Sequence, residues 1–171
     1  MEVVNSGALQ SDYMQNYRDW FGLLNRGYSV TPIGASDSHD VGRRLLGQAR
    51  TYIACPDEDP GRIDVEAALE SLKAGRVLVS MGLLTEILVD KRYGPGDIAP
   101  PAEEVEVSVR VLGPAWSKAH RVELFANGVA IREASIPQEN WWPSLPVPAL
   151  RRPTGRYRIR ISRRVLTGIP M

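Results

Sequence analysis

Residues 104–112, "EVEVSVRVL", alternate polar and apolar side chains without a break. An extended chain turns successive side chains to opposite faces, so Val105, Val107, Val109 and Val111 share one face and Glu104, Glu106, Ser108 and Arg110 the other. A helix would scatter those valines around its circumference, so this stretch confines the local fold to a half-buried sheet. The same period recurs in 84–90, 120–134 and 155–162. Within 120–134, Asn127-Gly128 separates two apolar runs, and both residues tolerate the positive φ that a tight hairpin turn requires. From about residue 81 onward, strands and turns are expected, without a helix.

The chain before that point has a different rhythm. "EVVN" (2–5) reads as a strand. "SDYMQNYRDWFGLLNRG" (11–27) reads as an amphipathic helix, with Ser11 or Asp12 as cap, Tyr13, Tyr17, Trp20, Leu23 and Leu24 at helical spacing, and Gly27 as the stop. "YSVTPIGAS" (28–36) and "RTYIAC" (50–55) read as strands, and 64–80 as a helix ending near Gly75 followed by a strand. Strand, helix, strand at this spacing predicts parallel α/β units. The fold class expected is therefore α/β followed by all-β, divided into residues 1–82 and a small antiparallel β-sandwich over 83–171 with an irregular, arginine-rich tail.

Composition narrows the function classes. The 171 residues are 43% hydrophobic and 24% charged, which suits a globular chain with a core. The net charge of +1 supplies no chain-wide basic field, so nucleic acid is not an expected partner. A single cysteine, Cys55, rules out an internal disulfide and reads as a small strand-end residue rather than a nucleophile. No apolar run reaches the roughly 20 residues of a membrane span, and the first 20 residues lack the pattern of a signal peptide. A soluble chain with no membrane contact is expected.

The chemistry concentrates in "GASDSHD", residues 34–40. The sequence holds only two histidines, and one, His39, follows Asp37 by two positions at the end of an apolar run. In an extended segment both side chains would share a face. A carboxylate oxygen beside an imidazole nitrogen suits Zn, Mn or Fe, and α/β folds build their sites at the C-terminal ends of parallel strands. Asp37 and His39 are thus the candidate metal ligands. His120, ahead of "RVELF", reads as a surface residue at the start of a strand.

"IGASDSHDVG", joined to "RTYIA" and "LKAGRVLVS", resembles the C-terminal part of the PHP (polymerase and histidinol phosphatase) family of metal-dependent hydrolases, in its CehA/McbA-like branch. The resemblance covers about residues 1–136. It implies the last βα units of a distorted (β/α)7 barrel followed by an appended sandwich. It also implies a centre of divalent ions that activates water against a small-molecule phosphoester or related bond, with Asp37 and His39 as ligands. Asn5, Ser36 and Ser38 are implied to line the site or orient the ligands. The family's opening H-x-H motif and its middle histidines are absent from this chain, and about 80 residues are too few to close a barrel, which takes about 200. The chain is therefore expected to be a C-terminal fragment or a descendant without the catalytic half, inactive by itself and prone to self-association through its incomplete barrel.

A rival expectation is a non-catalytic binding or interaction module built on the sandwich. Trp141, Trp142 and the arginines at 151, 152, 156, 158, 160, 163 and 164 would then make the contacts. Set against it, the tryptophans read as a staple over the sandwich end and the arginines as a solvated strand face.

Overall fold

A computed structural model describes residues 1–114, 116–136 and 155–162. The expectations for Trp141, Trp142, Arg151, Arg152, Arg163 and Arg164 fall outside these. The chain divides into two compact units: Met1–Met81 with Gly94–Ile98, and Gly82–Tyr93 with the described part of Ala99–Met171. It is mixed α/β and rich in small sheets, with two α-helices and no closed barrel among the described residues. No helix in them is long and apolar enough to cross a membrane.

In the first unit, β1 (Glu2–Asn5) pairs in parallel with β2 (Ile33–Ala35), with Val4 opposite Gly34 and Asn5 opposite Ala35. A short 3-10 helix, Ser6–Gln10, and α1 (Met14–Asn25) make the crossover. The residue at the α1 cap is Tyr13, which makes no side-chain cap bond; Asp12 instead accepts from the Met14 N–H at 3.0 Å. The helix ends where Gly27, at φ 85°, donates to Leu24 O at 2.9 Å, and Tyr28 donates to Leu23 O at 3.1 Å. This pair of reversed bonds satisfies the last carbonyls and needs a residue at ease in the left-handed region. Val4, Ala8 and Ala49 form the buried cluster beneath, with Tyr17, Val79 and Met81 packed on it.

Two expectations are corrected here. The strand read over 28–36 shrinks to three residues because the backbone before it is used elsewhere. Trp20 Nε1 donates to Val30 O at 2.7 Å and the N-terminal amine to Thr31 O at 2.8 Å, while Thr31's own hydroxyl donates to Leu72 O. The second correction concerns strand direction. β3 (Arg50–Ile53) and β4 (Val77–Ser80) are antiparallel, Arg50 opposite Ser80 and Ile53 opposite Val77. Only residues 74–76 separate α2 (Val65–Lys73) from β4, and Ala54 N donates to Arg76 O at 3.0 Å, so β4 begins beside the end of β3 and must run back along it.

The sheets of this unit meet at Gly34. Thr51 Oγ1 accepts from Gly34 N at 2.8 Å and donates to Gly34 O at 2.9 Å, so a hydroxyl replaces the backbone ladder between β2 and β3. A Cβ on Gly34 would lie 2.8 Å from Val79 Cγ1 and 3.0 Å from Arg50 O. Only a residue without a side chain permits this approach.

In the second unit, β5 (Leu84–Val89), β6 (Glu104–Leu112) and β9 (Gly155–Ser162) form an antiparallel sheet with β6 central. β7 (Arg121–Ala126) and β8 (Val129–Ser135) form a hairpin turned by Asn127 and Gly128 at φ 52° and 82°. Val107, Val109 and Val111 of β6 are buried with Ala119 and Ile136, and Ile87 and Val89 of β5, Val122 and Leu124 of β7 and Ile131 of β8 pack against them. Both sheets thus share one apolar cluster. On the opposite face, Glu86 and Arg110 are direct cross-strand partners joined by an ion pair.

Two stability effects follow. Val109→Ala removes two methylene equivalents from a site 4% exposed and is expected to cost roughly 2 kcal/mol in denaturant unfolding, whereas Val129→Ala, at 45% exposure, should change stability by under about 0.5 kcal/mol. Gly34→Ala forces overlap on β3 and β4 and is expected to cost about 1–3 kcal/mol in the same measurement.

Candidate functional site

The site grows from the C-terminal ends of the two parallel strands. β1 delivers Asn5 and β2 runs out at Ala35, so the next four residues, Ser36 to His39, leave the ladder beside it. Asp37 adopts φ 52°. The two-residue alternation of a strand therefore does not bring Asp37 and His39 together; a left-handed kink at Asp37 does. The result is the proximity expected from their spacing, reached by another route. His39 Nε2 lies 2.5 Å from Asp37 Oδ1.

The second carboxylate oxygen, Oδ2, faces Asn5 Nδ2 at 3.5 Å and is ion-paired with Arg44 Nη1. Asn5 works in both directions. Its Nδ2 also donates to Glu2 Oε1 at 2.9 Å, and its Oδ1 accepts from Gly7 N at 2.8 Å, capping the 3-10 helix. Ser38 Oγ donates to Arg44 O at 2.9 Å, and Asp40 Oδ1 accepts from Gly42 N and Arg43 N, so residues 37–44 form a loop bound to itself. Ser36 is half-buried and makes no hydrogen bond to either candidate ligand. His120 belongs to the other unit, exposed immediately before β7.

Arg44 and Gly7 are the residues that the sequence left unmarked. Arg44 lies seven positions after Asp37 in a loop with no hydrophobic period, and Gly7 carries no side chain to draw attention. Only the folded loop relates them.

Charge is unevenly distributed in this cluster. The hydrogen bond from His39, reinforced by the nearby His39 and Arg44 charges, holds the Asp37 carboxyl below the usual carboxylate range. The imidazole of His39 is open to solvent, with 81% of its side chain exposed, against 31% for Asp37 and 30% for Arg44. Asp37 is thus an ionised carboxylate beside a solvent-open imidazole, whose Nε2 donates to Oδ1 here and gives up that proton when an ion binds.

These two donors fit a metal ion as a partial set. A shared ion about 2.0–2.2 Å from each would place the donor atoms about 3.0 Å apart at octahedral angles and about 3.4 Å apart at tetrahedral ones. The 2.5 Å separation must open by about 0.5–0.9 Å, within reach of an imidazole rotation. Among the described residues no group of three His, Cys, Asp or Glu comes together to hold an ion. The pair can contribute two ligands of a centre and cannot by itself supply the three that a catalytic zinc ordinarily takes.

The depressed Asp37 ionisation fixes a pH dependence. A carboxyl whose folded pKa lies below its unfolded value of about 3.9 stabilises the fold fully above that pH and loses the contribution as pH falls through the folded value. Asn tolerates the left-handed backbone, so Asp37→Asn isolates the charge. The variant is expected to melt at a lower temperature than the parent at pH 7, with the gap narrowing below about pH 4; a gap independent of pH would contradict the assignment. Comparison with family models, with curated proteins and with solved structures finds no match to this chain.

Proposed function

We propose that residues 1–81 contribute part of a PHP-like metal-dependent hydrolase centre, in which Asp37 and His39 are two of the protein ligands of a divalent Mn, Zn or Fe ion. The observation that carries the proposal is the convergence of Asp37 Oδ1 and His39 Nε2, 2.5 Å apart, beyond the C-terminal end of a strand in a parallel pair. The resemblance of "IGASDSHDVG", "RTYIA" and "LKAGRVLVS" to that family supports the same reading. In its terms β1 to β4 are the last units of a barrel-type architecture, and the two sheets sharing the Val107–Val109–Val111 cluster are its appended sandwich.

A bound divalent ion would supply an activated water at neutral pH for attack on a phosphoester-like bond. This chain's residues do the preparatory work. Asp37 is held ionised by its neighbours, His39 offers an accessible nitrogen, Asn5 and Arg44 occupy the outer carboxylate oxygen, and Ser38 ties the loop to Arg44. Among the described residues no third His, Cys, Asp or Glu joins the pair, and the family's opening H-x-H motif and middle histidines, which the resemblance implies as the further ligands, are absent from the sequence, so in this reading the chain alone lacks a complete active site.

Elemental analysis of untagged protein, with titration calorimetry for Zn and Mn, tests the reading. The Asp37→Ala/His39→Ala variant is expected to bind at least about tenfold more weakly than the parent. Equal affinity in both would refute the ligand assignment. Hydrolysis of a generic phosphoester by the isolated chain is expected to stay near background even with metal added.

A further inference from the structure

Arg44 makes all its side-chain polar contacts among the described residues through one nitrogen, and all of them to one residue. Nη1 donates to Asp37 Oδ2 and, at 3.3 Å, to the backbone carbonyl of Asp37. It thereby grips both the side chain and the main chain of a non-glycine residue at φ 52°, a conformation that L side chains adopt reluctantly. The grip leaves Oδ1 to His39. The arginine is itself held in two ways. Its carbonyl accepts the Ser38 hydroxyl, and its guanidinium lies over Gly7, where an added Cβ would come within 3.1 Å of Nη2 and 3.1 Å of Asn5 Oδ1.

From this arrangement we infer that Arg44 is a positioning residue that fixes Asp37 for ion binding through Oδ1, and that Gly7 is the floor admitting its guanidinium. The inference rests on the metal reading above and deepens it. A ligating carboxylate whose outer oxygen is hydrogen-bonded loses less freedom on binding, and removing such outer partners typically weakens metal affinity by about 10–100-fold. The arginine charge opposes the incoming ion, so the sign of the effect is a real test: orientation predicts weaker binding without Arg44, and charge competition predicts tighter binding.

Titration calorimetry with Zn and Mn on the full chain decides between them. Arg44→Ala is expected to weaken binding about 10–100-fold. Arg44→Lys should recover part of the loss, since an ammonium can reach Oδ2 but lacks the planar fork. Gly7→Val places a branched side chain where Nη2 lies and is expected to weaken binding in the parent, with under about a twofold further effect in the Arg44→Ala background, because it acts through the arginine. Unchanged or tighter binding in Arg44→Ala, with the parent binding metal and Asp37→Ala/His39→Ala not, overturns the positioning role and leaves the ligand assignment standing. An equal Gly7→Val loss in both backgrounds overturns the floor. If parent and Asp37→Ala/His39→Ala bind alike, the ligand assignment and the positioning role both fall.

Discussion

The candidate site depends on one close approach, that of β2 to β3 and β4 at Gly34. With no Cβ in the way, the Thr51 hydroxyl takes both the N–H and the carbonyl of that glycine, and the Val79 side chain fills the space beside it. A three-residue strand has little pairing of its own to hold it. β2 is fixed on one side by β1 and on the other by this hydroxyl bridge, and the chain leaves it at a defined point and angle. Asp37 is three residues past the anchor, and any displacement of Gly34 is passed to it directly.

Beyond the anchor, order comes from polar contacts rather than from a core. Asp37 is central because its two oxygens face different partners, His39 on one and Arg44 with Asn5 on the other. Exposed ion pairs are individually weak, since water screens them and long side chains lose freedom in making them. Here two contacts, with His39 and Arg44, share one carboxylate, and the loop is closed by Ser38 and Asp40 as well. Such a loop is specific in geometry while contributing modestly to overall stability.

Much of this was legible in the sequence wherever one local rule decided the outcome. The valines of 105–111 lie buried on one face of β6, and Asn127 and Gly128 turn the hairpin, because period-two alternation and tolerance of positive φ act within a few residues. The direction of β4 against β3 was not legible, since it is set by how closely residues 74–76 bring the strand back from α2. Nor was the shortening of the 28–36 strand, where Trp20 and the N-terminal amine take the backbone carbonyls of Val30 and Thr31 from distant positions. In the site itself, the i, i+2 spacing marked Asp37 and His39 as neighbours, while the kink that joins them and the arginine that grips the kink belong to the folded loop alone.

The ion pair between Glu86 and Arg110 has a consequence for how the second unit finds its alignment. A strand that alternates valine with polar residues is protected against sliding by one position, because that would turn its valines to water. Against a slide of two it has no such protection, since the apolar face maps onto itself. Such a slide would set Arg110 opposite Leu84 and Glu86 opposite Ser108 in one direction, or Arg110 opposite Leu88 and Glu86 opposite Leu112 in the other. The pair therefore acts as a vernier mark on an otherwise repeating scale, selecting one register among those that the hydrophobic pattern treats as equal.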